Sequence, residues 1–354
     1  MRTYDHKKYL LPVWEGDVIY YETVLFVGEE DVAPLLYPIK EILGVYDYGL
    51  QVEFVKGVDF DVVDGKIKRL KGGKLPFIPS DEYYLEEPDS HVIQIINRRE
   101  KAPEGKKYFS FGEEDSYTKH QIAVSYRHDE KTTLKMPDCK KDRFKKFNDK
   151  ISLEQPINIT FYGDSIMTGC NSSGTKMGGN TPPYADKFSI MVSKAVQNLT
   201  TATVNHYNCA VGGWASKHGL DNMQEKVLVK NADLFVLAFG MNDGDETPDK
   251  FYDNTEKMIK LFKGNNPDGE VLLIATMLPN TESDWLKNQP LFVDKLISLE
   301  KKYSFVSVAN MTEMHQELLI AGKRYRDMTG NNVNHPNDFL ARIYAQVILR
   351  TLIG

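Results

Sequence analysis

The chain has 354 residues, 41% of them apolar and 27% charged, with a formal net charge of −6. Such a length is ample for two domains, and such a composition is ordinary for a globular protein with a large buried core. The acidic balance argues against nucleic acid or an anionic membrane as a partner, and no stretch approaches the ~20 apolar residues that span a bilayer.

The start, Met1 to Lys8, leads into no apolar segment of the signal-peptide type, so a cytoplasmic protein is expected. Cys139, Cys170 and Cys209 form no C-x-x-C pair, which predicts reduced thiols rather than disulfides or a zinc site. Through about residue 145 the sequence is a series of short β-prone runs, at 17–27, 50–55, 91–96 and 121–126. Val63-Asp64-Gly65-Lys66 and Lys71-Gly72-Gly73-Lys74 supply turn signals between them. This spacing predicts a β-sandwich or jelly roll. The basic run from Lys140 to Lys150 is interleaved with Asp142 and Asp149 and reads as a solvated connector. A β-rich accessory domain over residues 1–150 is therefore expected, followed by a second domain over 151–354.

From about residue 156 the rhythm changes. Apolar runs at 157–162, 203–208, 234–239, 271–275 and 305–308 alternate with helical patterns at 185–199, 251–263, 290–302, 312–321 and from Asp338 onward. Strands alternating with amphipathic helices predict a parallel, doubly wound α/β sheet. In such sheets the ligand crevice lies beyond the carboxyl ends of the strands.

Four short signals fall there. In Gly163-Asp164-Ser165-Ile166-Met167-Thr168-Gly169, glycines bracket a serine as the strand leaves the sheet. That can expose a nucleophilic hydroxyl, or merely cap a helix. In Asn208-Cys209-Ala210-Val211-Gly212-Gly213-Trp214, paired glycines can bring bare N–H groups to an oxyanion, although a plain strand-to-helix turn uses the same residues. Asn242, in Gly240-Met241-Asn242-Asp243, can donate a neutral amide to developing negative charge; the alternative is an Asx turn. Asn332-Val333-Asn334-His335-Pro336 precedes the last helix, and Pro336 holds His335 in extended backbone, so its ring can be presented from a loop. A lone loop histidine is more often simply solvated.

Taken in this order, the four signals resemble the block pattern of SGNH (GDSL-like) hydrolases over residues 157–354. The resemblance implies a three-layer α/β/α domain with a five-stranded parallel sheet. It implies Ser165 as nucleophile, His335 as general base, and an oxyanion hole from the Ser165 N–H, the Gly213 N–H and the Asn242 side chain. These roles agree with elementary chemistry, since a serine hydroxyl is a weak nucleophile until an imidazole takes its proton. Asp164 adjoins the nucleophile, so a structural hydrogen-bonding role suits it better than that of triad acid.

The chain departs from the family at one position. Where the family has Asp three residues before the histidine, this sequence has Asn332. Asn332 can orient His335 through its amide oxygen, but without a full charge. A backbone carbonyl in a Ser-His dyad, another acid such as Asp327 or Asp338, and a catalytically dead site are the alternatives. Asp338 also suits the N-cap of the last helix.

Family members with a β-rich N-terminal domain resemble carbohydrate esterases that remove acetyl groups. A small acylated carbohydrate is accordingly the expected substrate, with Asp164, Trp214, Tyr184 and Trp285 as candidate contacts. No cofactor or metal is expected, and self-association is left open. The rival readings are an esterase or thioesterase acting on other acyl substrates, and a carbohydrate-binding protein with a decayed site. An α/β-hydrolase is disfavoured because Gly163-Asp164-Ser165-Ile166-Met167 lacks the second glycine of a Gly-x-Ser-x-Gly elbow.

Overall fold

The computed structural model describes residues 2–88, 95–96, 102–129 and 134–354. In the first part, Val18–Leu25 (β1), Glu41–Asp47 (β2), Phe60–Val63 (β3), Lys66–Arg69 (β4) and Gln121–Arg127 (β5) are the longer strands. β1, β5 and β2 form an antiparallel sheet in that order, while β3 and β4 form a hairpin completed by Val32–Ala33. Asp64 and Gly65 both have positive φ, as a two-residue hairpin turn of this hand requires. A third small sheet joins Tyr84–Leu85, Tyr108–Phe109 and Ile95–Ile96. Of the run predicted at 91–96, residues 91–94 lie outside the described residues.

Two expectations for this part need correction. The run at 50–55 is not a strand: Asp47 Oδ1 accepts from the N–H groups of Gln51 and Val52, curling the chain, and Glu53 makes only a single bridge to Tyr46. The basic run is solvated on one side only: Lys141, Asp142, Lys145, Lys146 and Asp149 are exposed, but the segment is also docked. Lys145–Ser152 is a helix (α1), Phe144 and Phe147 are buried, and Arg143 donates to the carbonyls of Glu300, Tyr303 and Val306.

The second part is the predicted parallel sheet. Its strands are Ile157–Gly163 (β6), Val204–Asn208 (β7), Leu234–Ala238 (β8), Glu270–Ala275 (β9) and Val306–Asn310 (β10), ordered β7-β6-β8-β9-β10. Side chains alternate between faces with the pleat. Leu234 and Val236 join one apolar cluster, Phe235 and Leu237 the other. The first face is covered by Phe188–Gln197 (α3), Met311–Ile320 (α7) and Asp338–Ile353 (α8), joined by the short helix Ser165–Thr168 (α2). The short helix Ser216–Asp221 (α4) lies on the other side, where Leu220 packs into the second cluster and Gly219 against Phe239. Pro248–Asn265 (α5) and Phe292–Lys302 (α6) cover the second. Burying each Leu, Ile or Phe in these layers contributes about 1.5–3 kcal/mol.

Helix α8 is buried almost all round, from Phe339 to Leu352. A helix apolar on every side needs cover on every side. One flank meets the sheet and α3; the other meets Tyr9, Val24 and Tyr126 from the β-rich part, all in one cluster. Gln346 ties this junction by accepting from Val13 N–H and donating to the carbonyls of Tyr9 and Leu11. Lys323 and Glu22 add an ion pair at 2.8 Å with both side chains fully buried. Among the described residues no helix is long and apolar enough to cross a membrane.

Candidate active site

Gly163 ends β6 so close to β8 that a Cβ there would lie 2.2 Å from the Ala238 carbonyl oxygen, so the chain can leave the sheet at this point only as glycine. Asp164 follows in extended backbone and caps α2, accepting from Ile166 N–H at 3.0 Å. Burial pushes the Asp164 carboxyl up to about 7; the nearby Asp243 adds to this, while backbone N–H groups of Ile166, Met241 and Met167 pull the other way. Ser165 is thereby the first residue of a one-turn helix that ends at Gly169 with φ +88°. The serine is 6% exposed.

The loop before α8 is wound around Asn331. Its side-chain oxygen accepts from the N–H groups of Val333, Asn334 and His335, each at 3.0 Å. The His335 carbonyl in turn accepts from Gly330 N–H and Thr329 Oγ1. This fixes an imidazole whose Nε2 lies 2.9 Å from Ser165 Oγ, across 170 positions of sequence. The other nitrogen, Nδ1, faces two groups: Asn171 Oδ1 at 2.8 Å and Glu113 Oε2 at 3.3 Å. Asn171 Nδ2 is committed to the carbonyls of Glu114 and Gly330, so its oxygen must point at the ring. An acceptor there holds the proton on Nδ1 and leaves the Nε2 lone pair for the serine.

Asn332 is not the orienting group. With φ +67° its side chain turns away, accepting from Tyr83 Oη and Asn280 Nδ2 and donating to the Ser110 carbonyl and Tyr117 Oη. It latches the histidine loop to the β-rich part. Asp327 does not reach the ring either; it pairs with Arg324 and Lys323 and accepts from Leu25 N–H. Asp338 binds Ser173 N–H, and the cap of α8 is Asn337, which accepts from Leu340 N–H.

Beyond β7, Asn208 Nδ2 donates to the Met167 carbonyl and Val211 N–H to the Gly163 carbonyl, pinning the glycine loop to the serine turn. A Cβ on Gly212 would sit 3.9 Å from Ser165 Cβ, whereas Gly213, at φ +77°, faces open space. Among the described residues the N–H groups of Ser165, Gly212 and Gly213 have no acceptor. Asn242 is half-buried and donates to the Trp214 carbonyl at 3.1 Å, leaving its second amide hydrogen uncommitted. Asp243 accepts from Ser216 N–H and Oγ, so the loops after β7 and β8 are joined.

Of the three aromatics singled out, Trp214 rides on the glycine loop, with its ring over His218 and edge-on to Tyr162. Tyr184 is 44% exposed. Trp285 is half-buried and packs beside Val333 in the cluster under the histidine loop. Among the described residues neither Tyr184 nor Trp285 hydrogen-bonds to Ser165 or His335, and no three His, Cys, Asp or Glu side chains converge as a metal site.

The residues missed by sequence reasoning are Asn171 and Glu113. Asn171 lies six positions after the serine in a loop with no catalytic signature. Glu113 comes from the β-rich part, 222 positions before the histidine, and nothing local marks it.

Residues 161–342 match the GDSL-like Lipase/Acylhydrolase family. No curated protein matches the chain. Among solved structures the chain is similar to a two-domain esterase active on acetylated mannans, co-crystallised with mannopentaose. The identity is 22% and the TM-score 0.49, covering 58% of this chain and 52% of that one. The match thus spans about half the length of that esterase. It is also similar to an acetyl xylan esterase, at 18% identity and a TM-score of 0.44, covering 54% of this chain and 98% of the other. A catalytic mutant of an acetylxylan esterase from Geobacillus stearothermophilus is similar at 15% identity and a TM-score of 0.43, covering 55% and 93%.

Proposed function

The chain belongs to the GDSL-like lipase/acylhydrolase family, and from that premise we propose that it is a serine esterase cleaving small acyl esters, acetyl above all, from a carbohydrate. The observation that carries this reading is the 2.9 Å contact between His335 Nε2 and Ser165 Oγ. As Oγ attacks the acyl carbonyl, Nε2 takes its proton, and a tetrahedral intermediate forms on Ser165. The negative oxygen is received by the Ser165 and Gly213 N–H groups and the free hydrogen of Asn242. All three come from the segments that follow β6, β7 and β8, which are neighbours in the sheet, and donors of this kind stabilise the charge that develops on the oxygen. Collapse releases the sugar hydroxyl, which takes the proton back from His335, and leaves an acyl-enzyme. Water, deprotonated by the same imidazole, then frees the acid and the serine.

The carbohydrate preference is supported by Trp214 beside the glycine loop and by the exposed face of Tyr184, since aromatic rings stack on sugar rings. Residues 1–150 we take as an accessory part that forms one wall of the site. The test is hydrolysis of p-nitrophenyl acetate, followed by acetate release from acetylated oligosaccharides compared with cleavage of long-chain lipid-like esters. Turnover that disappears in Ser165→Ala, with an organophosphonate captured on Ser165, is expected. No turnover of any ester and no label on Ser165 would overturn the assignment in favour of a binding protein.

A further inference from the structure

We infer that Glu113, a residue of the β-rich part, is the acid that the histidine loop lacks, positioning His335 and offsetting its charge; this rests on the assignment of His335 as base. Among the described residues Glu113 is the one carboxylate in contact with the ring, with Oε2 3.3 Å from Nδ1. Its other oxygen accepts from Asn331 Nδ2 at 3.4 Å, from the residue that winds the histidine loop. The peptide behind it is fixed as well: the Glu113 carbonyl accepts from Ser116 N–H and Oγ, and the next carbonyl, that of Glu114, accepts from Asn171 Nδ2. The segment around Glu113 is therefore docked on both groups that face the imidazole.

Two tasks that one aspartate normally performs are divided here. Asn171, closer and neutral, selects the tautomer. Glu113 supplies negative charge when Nε2 takes the serine proton and the ring becomes cationic. The other titratable groups nearby are Cys170, whose thiol is pushed up mainly by burial and further by the Glu113 charge, and Asp164, buried behind the serine. Neither touches the ring. Glu113 is one-third exposed, so its influence on the imidazole is that of a charge in a partly aqueous setting rather than in a dry core. Burial raises its own carboxyl, but contact with His335 and Asn331 outweighs this, so the group is held below its ordinary value and is ionised near neutrality.

Glu113→Gln keeps the shape and removes the charge. The expected result is a fall in kcat of about tenfold or more, with KM changed less than about twofold. The acid limb of the kcat/KM profile should move to lower pH, because removing a neighbouring anion removes an attraction for the proton on the ring. Glu113→Asp, which retains the charge one methylene further away, should recover part of both. NMR titration of the His335 ring in wild type and Glu113→Gln reads the same pairing without any substrate, and should show the same downward shift. An unshifted ring and an unchanged kcat in Glu113→Gln would overturn the inference. So would equal losses in the Gln and Asp variants, which would mark a purely structural contact. Because Ser165→Ala tests the nucleophile separately, failure of the esterase reading and failure of the Glu113 pairing are distinguishable.

Discussion

Gly330 lies so close to Asn171 that a Cβ on the glycine would fall 2.3 Å from the asparagine Cβ. The glycine is there to let the loop after the serine touch the loop before the last helix. Gly330→Ala is expected to push Asn171 off the imidazole, lowering kcat and reducing stability by about 1–3 kcal/mol, the usual cost of overpacking. Thermal unfolding and ester kinetics on the same sample check both effects. Wild-type kcat in a stably folded Gly330→Ala would refute the positioning role of Asn171.

Restoring the family residue at position 332 should not help. In Asn332→Asp, a carboxylate oxygen replaces the amide that donates to the Ser110 carbonyl, so two acceptors face each other in a site 1% exposed. The expected outcome is a loss of about 1–3 kcal/mol with no gain in kcat. Urea denaturation and steady-state kinetics measure the two quantities. A marked gain in kcat would mean that this side chain can reach His335 after all.

The amide of Asn242 offers one hydrogen to the Trp214 carbonyl and keeps the other for the proposed oxyanion. Asn242→Ala is expected to lower kcat by about 10²–10³, the usual cost of losing one such donor, with KM little changed. Pre-steady-state acylation rates would locate the loss in the chemical step. A change confined to KM would assign Asn242 to substrate binding instead.

His315, fully buried in α7, should make the fold acid-sensitive. Its Nδ1 accepts from Leu278 N–H at 3.1 Å, which only the neutral ring can do, and burial pulls its pKa down to about 3. The folded value lies below the unfolded one, so the unfolded chain takes up the proton first as pH falls. The contribution is complete above about pH 6.5 and is lost progressively toward pH 3, with a ceiling of a few kcal/mol. His315→Gln should flatten this part of the stability curve between pH 7 and 4, as read by denaturant midpoints. An unaltered pH slope in the variant would rule the group out.

The parallel sheet was legible because its pattern is local: buried strands read as short apolar runs and the covering helices as amphipathic ones. The meeting of Ser165 with His335 was legible from the order of four short signals, in which Gly163 and Gly169 bracket the serine and Pro336 follows the histidine; each signal alone had a bland alternative. The orienting groups were not, for a physical reason. Asn171 and Glu113 act through contacts made only when three distant loops dock, and an asparagine or glutamate in an irregular segment has no periodicity to betray it. Asn332 misled for the opposite reason. It occupies the expected position, but a left-handed backbone there aims its amide at Tyr83 and Ser110 instead.

Helix α8 is covered on one flank by the sheet and on the other by Tyr9, Val24 and Tyr126. The two parts of this chain therefore cannot be traded as modules. Grafting residues 151–354 onto a foreign partner would leave an oily flank to be wetted and, if Glu113 acts as inferred, an imidazole deprived of its anion. Variation in the first 150 residues is thus constrained from two directions at once, by solubility of the remainder and by the speed of its chemistry.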